Sequence, residues 1–190
     1  ATAYLDGGYS YYPDFDAITP NRFDNPKLTA LTWYLFPGKR NWSLVESLID
    51  PSQNLQAFFN GDLVFAQSSI CVAQSSLSPY RKIPAASDVA LVTTMKKHAA
   101  LLSSTKSVPM VSSLIKGVYV NKFAAESSLM YNVLNSNFTT ARGEIVQVSG
   151  PGRYIDELTG RRGVIAKRNG KFYLSGRIGP KEVACFVRQH

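Results

Sequence analysis

The sequence predicts an α+β chain in which a mixed body of helices and short strands is followed by a small, basic β-barrel. Three observations predict it. Short alternating apolar runs separated by tight-turn signals fill residues 142–190, with Asn169-Gly170 among them. Helix-period apolar patterns recur upstream, over 43–60, 87–102 and 123–134. The composition, 45% hydrophobic and 12% aromatic, is that of a chain able to bury a core. The organisation expected is an extended arm over 1–27, the mixed body over 28–141 and the barrel over 142–190.

The arm is punctuated by Gly7-Gly8, Pro13, Pro20 and Pro26. Asp6, Asp14, Asp16 and Asp24 make it acidic; Tyr4, Tyr9, Tyr11, Tyr12, Phe15 and Phe23 make it aromatic. Such a segment has no core of its own, so its rings are expected to lie on the body or on a neighbouring subunit. Its start, Ala1-Thr2-Ala3-Tyr4, has neither the basic nor the apolar region of a signal peptide, and either removal of a leader or polyprotein segment or a processed or trimmed chain is expected.

In the body, Leu28 to Phe36 is an apolar run stopped by Pro37-Gly38. Ser43 and Glu46 have the spacing of a capping box, in which each side chain satisfies the other's free N–H, so a helix is predicted from Ser43. Asp50-Pro51 offers a second helix start and Asn60-Gly61 a stop. Residues 62–73 predict a strand and 74–87 a polar loop. A helix is expected from Ser87 or Asp88, with Val89, Val92, Met95, Ala99 and Leu102 on one face and Lys96, Lys97 and His98 complementing its C-terminal dipole. Residues 108–120 predict strand. A last helix is expected over 123–134 from Phe123, Leu129, Met130, Val133 and Leu134.

From Gly143 the texture changes. Glu144 to Val148 alternates, with Ile145 expected across the pleat from Val146 and Val148; Ser149 to Thr159 is a loop, and Arg162 to Lys167 is a strand carrying Val164 and Ile165. Asn169-Gly170 supplies the two positive-φ positions of a type I′ hairpin turn. Lys171 to Ser175 returns, Gly176 to Pro180 turns, and Val183 to Val187 closes the set. The runs Gly143-Glu-Ile-Val-Gln-Val148 and Gly160-Arg-Arg-Gly-Val-Ile165, followed by Asn-Gly and a strand, resemble an SH3-like barrel of the KOW type. That resemblance implies a compact barrel of a class whose members often bind RNA, ribosomes or proteins. The long loop at 149–159 departs from it.

The net charge is +8, and residues 142–190, with ten basic and four acidic side chains, carry +6 of it. Such asymmetry points to an acidic partner. Arg153, Arg161, Arg162, Lys167, Arg168, Lys171 and Tyr173 form the candidate nucleic-acid site, since cations neutralise phosphates and aromatic rings stack bases.

Catalytic candidates are sparse. Cys71 with His98 is a candidate nucleophile–base pair, though without a family flank or an obvious orienting third residue, and a serine with Lys96, Lys97 or Lys116 is a candidate dyad. Two cysteines, Cys71 and Cys185, and two histidines, His98 and the terminal His190, do not supply a usual zinc set. Both cysteines lie in apolar runs and are expected as buried thiols. No metal, cofactor or catalytic residue is assigned, and no apolar run reaches the length of a membrane-spanning helix. The function expected is a non-enzymatic binding or assembly subunit of a larger complex, such as a virion or ribonucleoprotein component, whose barrel contacts RNA or another acidic partner. A cysteine or serine hydrolase and a protein–protein module are the alternatives.

Overall fold

The computed structural model describes residues 7–11, 40–45, 52–66, 86–126 and 128–189. The chain divides into two compact units, Ala1–Lys97 and His98–His190. The described structure is mostly β, with strand far outweighing helix, which corrects the expected α+β class with its mixed body of helices and short strands.

In the first unit, β1 (Gly7–Tyr11), β2 (Arg40–Val45) and β3 (Leu63–Ala66) form a parallel sheet in that order. Parallel neighbours need a crossover, and helix α1 (Ser52–Asn60) supplies it between β2 and β3. Ser43 therefore lies in a strand rather than at a helix start, while the helix expected from the second start at Asp50-Pro51 is present as Ser52–Asn60. The β-favouring sequence Trp42-Ser43-Leu44-Val45 pairs on both sides in the sheet, which outweighs a local cap. The Asn60-Gly61 stop is present as a Schellman motif: the Gly61 N–H donates to the Phe58 carbonyl (3.0 Å) and the Asp62 N–H to that of Ala57 (2.9 Å). Gly61 has the positive φ, 72°, that this cap uses. Ala57, Phe58 and Phe59 are buried, and α2 (Ala86–Lys97), with Leu91 and Met95 buried, packs against α1. Lys96 and Lys97 occupy the last turn of α2 as expected. The strand expected over 62–73 is seen as Leu63–Ala66; the rest of it, the loop at 74–85, the run at 28–36 and most of the arm lie outside the described residues.

The second unit opens with the short helix α3 (Ala99–Leu102) and is otherwise one antiparallel sheet. Its strands are β4 (Val108–Val111), β5 (Val118–Ala125), β6 (Ser128–Asn135), β7 (Ala141–Val148), β8 (Arg153–Asp156), β9 (Arg162–Arg168), β10 (Lys171–Ile178) and β11 (Val183–Gln189). Their order is β4-β5-β6-β11-β8-β9-β10-β7. The sheet curls until its two ends meet: Ser113, just after β4, bridges Val146 of β7, and the Leu114 N–H donates to the Ile145 carbonyl at 2.8 Å. The strand-rich, curled C-terminal region is thus present, and its five strands β7–β11 share a sheet with β4–β6 through the β6–β11 pairing.

Residues 123–134, expected as a helix, are the end of β5 and nearly all of β6. Leu129 to Asn135 are buried without a break. A strand covered on both faces shows no alternation, so its apolar residues fall at helix-like intervals by chance. Val120, Tyr131, Val133, Ile145, Tyr154, Leu174 and Phe186 form the core within the curl. Cys185 is a buried thiol outside any disulfide, as expected; Cys71 lies outside the described residues. Gly163 of β9 is where the core comes closest to the backbone: a Cβ there would stand 2.6 Å from Leu174 Cδ1 and 3.3 Å from the Phe186 ring.

Asn135 ties two turns of this unit together. Its Nδ2 donates to the carbonyls of Thr139 (2.8 Å) and Gly179 (2.7 Å), with Ile178 O at 3.3 Å. Its Oδ1 accepts from the Asn137 N–H (3.1 Å) and Asn137 Nδ2 (3.0 Å). The β6–β7 connection, which carries the chain to the far end of the sheet, is thereby clasped to the β10–β11 turn.

Candidate ligand-binding face

Strands β8, β9, β10 and β7 are neighbours, and alternation along them separates a core face from an outer face. Ile165, Phe172, Leu174, Val146 and Val148 belong to the core side. The alternate positions point outward: Arg162, Val164, Ala166 and Arg168 on β9, then Lys171, Tyr173, Ser175 and Arg177 on β10. On β7 a bulge opposite Leu174/Ser175 buries both Ile145 and Val146, which leaves Arg142, Glu144 and Gln147 on the outside. The register sets Tyr173 between Ala166 and Gln147, Ser175 beside Glu144, and Arg177 beside Arg142.

The centre of this face is organised. The Arg168 guanidinium carbon lies 5.1 Å from the centroid of the Tyr173 ring. The same side chain reaches Glu144, Nη2 to Oε2 at 2.9 Å, while remaining 62% exposed. An exposed ion pair of this kind contributes about 1 kcal/mol or less to stability; its consequence is to hold a guanidinium over an aromatic ring in the open. Val164, 65% exposed, is an apolar side chain left on the same surface.

The hairpin that builds the face follows from Asn169-Gly170, whose φ values of 51° and 75° are both positive, as a type I′ turn requires. The β8–β9 turn is held by Asp156. Its carboxylate accepts from the N–H of Cys185 (2.8 Å) and Leu158 (3.2 Å) and from the Thr159 hydroxyl (2.5 Å). Its own N–H donates to the Arg161 carbonyl (2.8 Å), and the Gly160 N–H donates back to its carbonyl (2.7 Å). Burial pushes the Asp156 carboxyl above the ordinary range, opposed by these hydrogen bonds and by Arg161.

The seven candidates from the sequence are divided by this geometry. Arg162, Arg168, Lys171 and Tyr173 share the outer face, and the exposed Arg153 of β8 stands on the same side, next to Val164 by register. Arg161 sits in the β8–β9 turn. Lys167 points to the opposite side and covers Phe172 at 5.6 Å from its ring centroid. The sequence reading missed Arg142, Arg177, Gln147 and Val164 as members of the face and Asp156 as the residue that positions it. Alternation alone would have found Arg177 from Tyr173.

His98 stands 3.8 Å from Glu157, Nε2 to Oε2, an ion pair only when the imidazole is protonated. Its proposed partner Cys71 lies outside the described residues. Lys96, Lys97 and Lys116 are exposed. Among the described residues there is no cluster of His, Cys, Asp and Glu able to hold a metal ion, and no helix is long and apolar enough to cross a membrane.

No protein-family model and no curated protein matches the chain. Solved structures do. The cyclomaltodextrin glucanotransferase CldA, described as having a three-domain ABC distribution, matches over 88% of this chain with a TM-score of 0.55 at 11% identity. The gamma-CGTase from alkalophilic Bacillus clarkii matches over 89% with a TM-score of 0.58 at 12% identity. AmyP in complex with maltotriose matches over 80% with a TM-score of 0.50 at 11% identity. The chain shares a fold with a portion of each, spanning 39%, 30% and 41% of their respective lengths.

Proposed function

We propose that this chain is part of a glycan-processing enzyme of the maltodextrin-acting kind, and that its eight-stranded unit is a non-catalytic domain of that enzyme. The observation that carries the reading is the fold likeness to two cyclodextrin glucanotransferases over nearly nine-tenths of the chain. One fold hosts many chemistries, so the reading stands or falls on activity.

The carboxylates of the second unit support the non-catalytic assignment. Glycosyl transfer uses two carboxyl groups facing each other across the scissile bond, about 5–9.5 Å apart. Among the described residues of this unit the carboxylates other than Glu126 each have their own hydrogen-bonding partners. Asp156 is held by backbone N–H groups and Thr159, Glu144 by Arg168, Glu182 by the Gly179 N–H and Glu157 by Gln189 with His98 beside it, while Glu126 lies exposed at the β5–β6 turn. Most of the charge that pointed to an RNA-contacting assembly subunit gathers on the outer face.

The test is an assay of the natural gene product, whatever its full length, against maltoheptaose, soluble starch and a panel of aryl glycosides. Released reducing ends or cyclised products support the reading. A folded gene product that transforms none of them overturns it.

A further inference from the structure

We propose that the outer face of β8–β9–β10–β7 docks an anionic polysaccharide, a linear glycan bearing carboxylate or sulfate groups. The proposal rests on this face alone and is independent of the enzymatic reading above.

The charge is one-sided. Arg142, Arg162, Arg168, Lys171 and Arg177 project from three adjacent strands, and Glu144 is the one carboxylate among them. All five cations are exposed. Cations gathered at this density repel one another, and an anionic chain laid across them relieves that repulsion while releasing counterions. The face is also long. Lys171 and Arg177 lie six positions apart on one strand, about 20 Å at roughly 3.3 Å per residue.

The centre of the face suits a sugar better than a base. Single-stranded nucleic acid is held by bases stacked on successive aromatic platforms. This face has one ring, Tyr173, and the guanidinium of Arg168 already lies over it. Beside that ring are the Gln147 amide and the Ser175 hydroxyl, groups that exchange hydrogen bonds with sugar hydroxyls. The Arg168 guanidinium, held at its orientation by Tyr173 and Glu144, presents a planar fork to a carboxylate or sulfate.

The experiment titrates the whole chain with polygalacturonate, dextran sulfate, neutral dextran and poly(U), each across a salt series. The two anionic glycans distinguish carboxylate from sulfate as the recognised group. Binding to at least one of them is expected, tighter than to poly(U), weakening with salt and undetectable for neutral dextran. Lys171→Glu/Arg177→Glu is expected to weaken it at least tenfold and Tyr173→Leu several-fold. Lys96→Glu/Lys106→Glu carries the same change of net charge on exposed residues of other elements and is expected to leave binding within twofold. Circular dichroism establishes that each variant is folded, and Arg177→Gln serves where the double charge reversal is not. Tighter binding to poly(U), equal losses in the two charge-reversed variants, or no binding to either anionic glycan at physiological salt each overturn the proposal.

Discussion

Replacing Asn135 by alanine removes the clasp between the β6–β7 connection and the β10–β11 turn. The side chain is fully buried and makes hydrogen bonds of 2.7 and 2.8 Å to Gly179 O and Thr139 O and of 3.0 and 3.1 Å to Asn137. Truncation leaves two carbonyls and the Asn137 N–H without this partner. A fully buried orphan costs about 1–3 kcal/mol, but Thr139 and Gly179 lie in turns where water can replace part of the loss. The expected destabilisation is therefore about 2–4 kcal/mol for the second unit. For a unit of this size each kcal/mol lowers Tm by roughly 4–8 °C. Cys185 provides the assay, since it is a buried thiol on β11 and reacts only when the unit opens. In a Cys71→Ser background, thiol labelling of Asn135→Ala is expected to accelerate by about 30-fold or more, the ratio that 2 kcal/mol imposes on the opening equilibrium. Asn135→Asp is expected to be as damaging at neutral pH, because a carboxylate would face the two carbonyls, and to recover in part in acid. Labelling of Asn135→Ala within threefold of the parent would show that solvent replaces the clasp at little cost, and the reasoning would fail.

Gly163→Ala places a methyl group 2.6 Å from Leu174 Cδ1; overpacking of about 1–3 kcal/mol outweighs the roughly 0.5–1 kcal/mol of unfolded-state entropy that alanine recovers, so urea unfolding should shift to lower concentration. Tyr131 and Tyr154 have phenol pKa values raised by burial, Tyr131 further by its neighbour Tyr154, with Arg188 opposing in both. Both stay protonated in the folded protein above the ordinary value of about 10, so stability falls as pH rises past it, and ultraviolet titration should show their ionisation only together with unfolding. The Asp156 carboxyl is also raised by burial, so the folded state holds its proton more tightly than the unfolded one. Its stabilising contribution is complete below about pH 3.9 and declines as pH rises through the folded value; Asp156→Asn should gain stability relative to the parent across that interval, and a relative loss would reverse the assignment.

Local signals were legible wherever backbone conformation decides the residue. Asn169-Gly170, with two positive φ values, and the Asn60-Gly61 stop appear where the sequence places them, because few side chains tolerate those conformations. The strands Arg162–Lys167 and Lys171–Ser175 were legible because one of their faces is open to solvent and their alternation survives; Gly143–Val148 was legible as a strand, but its bulge, which buries both Ile145 and Val146, was not. Leu129 to Asn135 was not, since burial on both faces erases the period that distinguishes strand from helix. Ser43 failed for a related reason: a cap is worth about 1 kcal/mol, and two neighbouring strands outweigh it.

By itself the sequence determined that the chain folds, that its excess positive charge lies near the C-terminus, and that a tight hairpin stands within that charge. Only the tertiary structure decided which cations act together. Strand pairing brought Arg142 of β7 beside Arg177 of β10, 35 positions away, and a single bulge turned Glu144 toward Arg168. The same alternation sent Lys167 to the opposite side, although it adjoins Arg168 in the chain. Charge is a property of residues, but a binding face is a property of register, and register is set by non-local pairing that no local stretch encodes.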